Sequence, residues 1–299
     1  MNVSDQTENS ATTLAIPLAI PLAIPLARKP ARPWLLGAIS ALIYGFLNAP
    51  IVVLVVMSFN NSAILSLPFK GITLDWYRTA FSDIAIQSAL TNSLKVAATA
   101  TLLATLFGLL AAFALYRYQF FGKNSFRIAL NLPILLPGIV TGVAMLAYFS
   151  QLGLGLSLGT VILGHAVFGI PVALGPIFTR LSQFPRSLEE AAYDLGARPG
   201  QVFRSVIFPY IRSAVIAGAL LAFTLSFDEV VVTLFLTGRK NTLPMEIWAR
   251  LRTEITPEIA AIATLVLAVS TLLVLLSQWI SVASSAAISP TVSPAKQIP

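Results

Sequence analysis

Cysteine is missing from all 299 residues, which excludes disulfides and thiolate metal sites. Charge is scarce: charged residues make up 10% of the chain, far below the roughly 25% of soluble domains. Histidine occurs once, at His165, and no nucleophile–base pair or metal-ligand cluster stands out. The chain is therefore expected to carry no catalytic residue and no metal site. The phosphate-cradling pattern G-x-x-x-x-G-K-[ST] is also missing. Gly122-Lys123 is followed by Asn124, and Arg117 stands where the first glycine belongs. ATP hydrolysis is thus not expected of this chain.

What the chain has in abundance is apolar surface, with 57% hydrophobic residues. They gather in runs of about 20 residues or more, each able to cross roughly 30 Å of hydrocarbon as a helix. The sequence reads as an all-α membrane protein with six transmembrane helices, near 34–58, 92–116, 126–149, 154–179, 211–236 and 259–283. Basic residues set the orientation. Twelve, among them Arg28, Lys29, Arg32, Arg117, Lys123 and Arg198, fall on the side of both termini. Six (Lys70, Arg78, Arg239, Lys240, Arg250 and Arg252) fall on the other. This places both termini and the 180–210 loop in the cytoplasm. The net charge of +7 reports topology, and no nucleic-acid partner is expected.

Three parts follow along the chain. Residues 1–33 form a low-complexity cytoplasmic extension, whose LAIPLAIPLAIPLA run is too short to span and too rich in proline for a helix. Residues 34–283 form the membrane domain, and 284–299 a polar cytoplasmic tail. Within the domain, Pro133, Pro137 and Gly138 interrupt the third span. Gly164, Gly169, Pro171, Gly175 and Pro176 interrupt the fourth. Singly they read as packing residues; together they suggest a translocating bundle with deformable helices. His165 reads as a hydrogen-bonded packing residue rather than a ligand or proton relay. In the 59–91 loop, Leu74, Tyr77, Ala80 and Phe81 have the spacing of a short surface helix. In the 237–258 loop, Arg250 and Arg252 lie beside Glu246 and Glu254, which suggests a salt-bridged patch. Thr256 and Pro257 suit the cap and first position of the last helix.

Two polar constellations stand out against this background. The first is SLEEAAYDLGARPGQVFRSVIFP, Ser187 to Pro209, within a loop spanning 186–209. Ser187 and Glu190 have the spacing of a capping box. Leu188, Ala191, Ala192 and Leu195 share one helical face, with Glu189, Tyr193 and Asp194 off it. Gly196 suits the left-handed position after a helix, and Pro199 can open a second helix. Pro209 punctuates the chain before the next apolar run. The stretch reads either as a helix–turn–helix knob for a partner's groove or as a solvated loop. The second constellation is Asp228-Glu229 inside the fifth apolar run. Carboxylates at membrane depth need water, a cation or a partner, so both are candidates for a substrate pathway. An outer headgroup position, or pairing with a neighbouring subunit, is the structural alternative. Facing a pathway, they would attract a cation, and two acids suit an amine with more than one charge.

Glu190-Ala191-Ala192, three residues, Gly196, nine residues, then Val206-Ile207-Phe208-Pro209 resembles the EAA loop of ABC-importer permeases, with complete spacing. From about Trp34 to Ala283 the chain resembles the second permease subunit of spermidine/putrescine importers. That likeness rests on Asn92-Ser93-Leu94-Lys95, Pro133 to Gly138, Leu221 to Val231, Thr242-Leu243-Pro244 with Ile247-Trp248, and Pro257-Glu258-Ile259. The resemblance implies the type I ABC-importer permease fold with a cytoplasmic coupling helix, in a bacterial inner membrane. Glu190, Ala191, Ala192, Gly196 and Pro209 would couple the chain to an ATP-binding cassette subunit. That subunit would bind ATP and Mg; this chain would bind no cofactor. Further partners would be a second homologous permease subunit, an extracytoplasmic substrate-binding protein and the lipid bilayer. Substrate would cross by alternating access. Branches for opines, other amines or organophosphonates share the pattern. A stand-alone cation-coupled secondary transporter would leave the EAA loop without a use.

Overall fold

The computed structural model describes residues 33–62, 68–253 and 256–286. The IPLA run, Glu254 and the end of the tail lie outside them. Among the described residues, helices supply the regular structure, with one isolated bridge between Asn60 and Ile72. The chain divides into two units at Pro50. Of the first, residues 1–50, the described part is the opening of α1 (Pro33–Met57), apolar and exposed almost all round. A helix apolar on every face is built for surroundings other than water.

The second unit, residues 51–299, holds the bundle. Helix α3 (Ile84–Arg117) packs along α6 (Leu158–Ser182); α9 (Phe208–Asp228) lies against both, and α12 (Pro257–Ala286) against α9. Small residues allow these backbones to approach closely. A Cβ on Gly108 of α3 would come within 3.1 Å of Ala173 Cβ and Leu174 N on α6. One on Gly218 of α9 would stand 2.9 Å from the carbonyl oxygen of Ala173. Ala173 is thus wedged between two glycines, and a larger residue at either would push spans apart.

The expected short helix in the first long loop forms as α2 (Asp75–Ser82). The second span begins earlier than the apolar run suggests. Asp83 caps it, its Oδ1 accepting from the backbone N–H groups of Ala85 (2.7 Å) and Ile86 (3.2 Å). The resulting 34-residue helix is about 51 Å long at 1.5 Å per residue. The third span is sharply bent: α4 (Lys123–Leu135) and α5 (Gly138–Gln151) meet at 107°. Leu136 between them is extended (φ −83°, ψ 146°), as the residue before a proline prefers. The fourth span is not interrupted, because α6 runs through both Pro171 and Pro176. Prolines are tolerated there where neighbouring helices pack around the freed backbone groups.

The fifth span departs most from expectation. It starts as α8 (Pro199–Val202), passes through a π-helical turn (Phe203–Ile207), and continues into α9, giving 30 unbroken residues. Pro209 therefore lies inside a helix. Proline has no N–H to donate and crowds the turn before it. The widened turn, where Phe208 N bonds to Phe203 O, comes directly before it and makes room. At the other end the helix stops at Asp228 rather than running to 236. Glu229 is extended (φ −73°, ψ 118°), and α10 (Val231–Leu236) resumes beyond it. The last loop contains α11 (Leu243–Leu251), and α12 opens at Pro257 as expected. Five of the described helices are long and apolar enough to cross a membrane, six if α4 and α5 form one broken span.

Candidate functional site

The Ser187–Pro209 stretch folds as a helix, a turn and a second helix. Helix α7 (Arg186–Asp194) starts two residues earlier than the expected cap allows, with Pro185 rather than Ser187 as its cap, so the Ser187–Glu190 capping box does not form. Its end is built as expected. Gly196 takes φ +82°, its N–H bonds to Tyr193 O (2.8 Å), and the N–H of Ala197 bonds to Ala192 O (3.1 Å). This is the Schellman pairing, and a side chain at 196 would strain it. Pro199 opens α8, with the backbone N–H of Arg198 bonded to Gln201 Oε1 at 2.8 Å.

The turn rests on a core of Leu115, Ile177, Leu181, Phe184, Val202 and Ile211. Arg180 lies over the Tyr210 ring at 4.5 Å, and the Tyr210 hydroxyl donates to Gln183 O (3.1 Å), tying α6 to α9 behind the turn. Of the EAA-type residues, Glu190, Ala191, Gly196 and Pro209 are exposed, and Ala192 is half-buried against the core. Of the apolar stripe, Leu188 is 48% exposed and Leu195 89%, so the described residues of this chain cover neither fully. Glu189 points inward. It is 4% exposed, and its Oε1 meets Nη1 of Arg117, the last residue of α3, at 2.5 Å. Sequence periodicity missed this pair. The available signal was the doublet itself, since neighbours on a helix cannot share a face.

At the opposite end of α9 the second acidic pair is split. Asp228 Oδ1 accepts from Ser270 Oγ of α12 at 2.8 Å. Its carboxylate borders an open cleft of about 370 Å³, with Val230, Pro244, Ile247, Trp248 and Ser270 among its walls. The Trp248 ring carries the Arg252 guanidinium 5.2 Å from its centre. Glu229 is occupied differently: its Oε1 accepts from Val232 N at 2.9 Å and caps α10. His165, 3% exposed, spans the helix break. Its Nδ1 is 2.8 Å from Ser226 Oγ on α9, and its Nε2 is 2.8 Å from Thr233 Oγ1 on α10. Thr233 donates its hydroxyl hydrogen to Glu229 O (2.9 Å), which leaves its oxygen to accept from Nε2. The imidazole is a buried staple, hydrogen-bonded at both nitrogens, as the packing reading expects.

The loop beside the cleft is held by residues of α3. Asn92 Nδ2 donates to Asn241 O (3.0 Å), and Leu243 N donates to Ser93 Oγ (2.7 Å). The expected ionic patch forms around Arg250, with partly different partners: Asp83 (2.8 Å), Glu246 (3.1 Å) and Glu258 (3.4 Å). The Arg250 guanidinium holds the Asp83 carboxyl below the usual carboxylate range. Among the described residues no group of three His, Asp or Glu side chains could hold a metal.

Residues 104–286 match the family model for binding-protein-dependent transport system inner membrane components. The chain is 38% identical over 252 residues to the spermidine/putrescine transport system permease protein PotC of Haemophilus influenzae, which covers 84% of this chain and 98% of that one. It is 36% identical over 248 residues to PotC of Escherichia coli K12, covering 83% and 94%. It is 38% identical over 243 residues to the putrescine transport system permease protein PotI of the same strain, covering 79% and 86%. Its fold is similar to a chain of a bacterial ABC transporter involved in the import of the acidic polysaccharide alginate, with a TM-score of 0.60 at 18% identity, covering 82% and 96%. The chain is a multi-pass membrane protein, and it belongs to the family of binding-protein-dependent transport system inner membrane components.

Proposed function

We propose that this chain is a permease subunit of an ATP-driven importer that moves polyamines of the spermidine and putrescine kind into the cytoplasm. The observation that carries the reading is the match to polyamine permeases, at 36–38% identity over about four fifths of the chain. Helix α7, with the exposed Glu190, Ala191 and Leu195 and the Gly196 turn, docks into a groove of a separate cassette subunit, which hydrolyses the ATP. Pro209, beyond the π turn, supports this element from α9. The excess of basic residues at this end supports a cytoplasmic position for it and for both termini. A second permease subunit and an extracytoplasmic binding protein complete the assembly. At the other end, Asp228 borders the substrate path. An ammonium there meets a carboxylate oriented by Ser270 and the face of Trp248, which already accepts a guanidinium. Glu229 adds negative potential, while its carboxylate stays committed to the α10 cap.

The test is uptake of labelled spermidine and putrescine by cells lacking their own polyamine import, expressing this chain with its neighbouring transport genes. Uptake should require ATP and fall about tenfold or more in Asp228→Asn, the scale of one lost charged contact. An assembled complex with active ATPase but no polyamine uptake would move the substrate to another amine, an opine or an organophosphonate.

A further inference from the structure

Helix α7 is joined to the bundle covalently at both ends, to α6 through residues 183–185 and to α9 beyond the turn, and Ala192 packs on the core. The ion pair from Glu189 to Arg117 reaches a further span, α3. The two partners are unequal. Glu189 is almost wholly buried, whereas the Arg117 side chain is 40% exposed. A buried carboxylate with its partner removed is strongly destabilised, so α7 cannot move off α3 without cost while the pair exists.

Helix α3 is suited to pass a displacement on. It is one unbroken helix of 34 residues, packed along α6 and α9. Its far half carries Asn92 and Ser93, which hold Asn241 and Leu243 next to the cleft bordered by Asp228. Its cap, Asp83, is bonded to Arg250, which also binds Glu246 of α11 and Glu258 of α12. From Glu189 to the cleft wall the links are an ion pair, a continuous helix and two hydrogen bonds.

We propose that the Arg117–Glu189 ion pair is the link through which displacement of α7 drives α3, so that Arg117 positions the far loop without touching substrate or nucleotide. This rests on the reading that α7 docks on the cassette subunit. The cysteine-free sequence provides a direct assay. Ser88, exposed near the far end of α3, is replaced by cysteine as the only thiol in this chain. The assembled transporter, with cysteine-free partner subunits, is reconstituted in lipid. Maleimide labelling is then followed with and without ATP, alongside cassette co-purification and ATPase rate.

With Arg117 intact, ATP should change the labelling rate about fivefold or more. Arg117→Gln should abolish that change while the cassette stays bound and hydrolyses ATP within about twofold of the unaltered rate. Arg117→Lys, which keeps the charge, should retain the response. An ATP response preserved in Arg117→Gln overturns the link. So does the absence of any response with Arg117 intact, or a response lost together with cassette binding in Arg117→Gln, which would make the pair an assembly contact. Failure of the docking reading is seen separately, as a cassette that does not co-purify even with Arg117 intact, and it takes the link down with it.

Discussion

The molecule contains two doublets of adjacent acids, Glu189-Glu190 and Asp228-Glu229, and resolves them in different ways. In α7 the helix itself separates the pair, because successive residues point about 100° apart. Glu189 turns inward to Arg117, and Glu190 turns outward. In the fifth span the helix ends between the two acids. Asp228 closes α9 beside the cleft, while Glu229 becomes extended and spends its carboxylate on a backbone N–H of α10. In both places one acid is committed to a partner within the chain, while Glu190 is exposed and Asp228, though bonded to Ser270, borders the cleft. The inward acids differ in partner: Glu189 faces a full charge, Glu229 a backbone dipole.

The largest effect should come from removing what keeps the second doublet split. His165→Ala leaves the Ser226 and Thr233 hydroxyls buried without the ring that joins them. The loss should be about 1 to 3 kcal/mol, read as a lower melting midpoint in detergent. His165→Gln can still donate near the Nε2 position and should lose less. Equal midpoints for His165→Ala and the unaltered protein would mean that the α9–α10 break holds itself, as the α7 turn does.

That contrast also marks what the sequence made legible. The α7–α8 turn is encoded locally: Gly196 supplies the left-handed residue and Pro199 the helix start, and both act as expected. The bend at Leu136-Pro137 is equally local. The break after Asp228 has no such signal, since Ser226-Phe227-Asp228-Glu229-Val230 contains neither proline nor glycine. It depends on His165, 61 residues earlier than Ser226, and on a cap supplied by Glu229 itself. Conversely, Pro171 and Pro176 look like breakers, yet α6 continues because α3 and α9 pack against it. Asp83 marked a helix start in plain view, but the mixed residues after it hid the extension behind the apolar run. The exposed stripe of Leu188 and Leu195 shows the limit of periodicity. It finds an apolar face without saying whether this chain or another covers it.

A smaller effect separates the charge of Glu229 from its geometry. If its role within the chain is to cap α10, Glu229→Gln keeps an accepting oxygen and should leave the midpoint nearly unchanged. Glu229→Ala should cost about 1 kcal/mol, the size of a lost helix cap. Equal losses in the two variants would instead assign the residue's value to its charge, making it more like Glu189 than the hydrogen bond suggests.

The smallest effect tests a third acid, Asp83, which shares features of both inward acids: an arginine partner and two backbone N–H donors. Its folded-state pKa lies below the ordinary value of 3.8, chiefly through the hydrogen bond from Arg250. A depressed carboxylate stabilises the fold fully above that ordinary value and loses the contribution as pH falls through the lower folded one. The Asp83 share of stability should therefore be flat from neutral pH down to about 5 and fade below about 4. With its side chain about a quarter exposed, solvent screening keeps this share small, and added salt should shrink it further. The measurement is the melting midpoint against pH for the unaltered chain and for Asp83→Asn. The two curves should converge at low pH, where the native carboxyl is also neutral. Curves that stay parallel down to pH 3 would place the value of Asp83 in its caps rather than in Arg250, and so nearer to Glu229 than to Glu189.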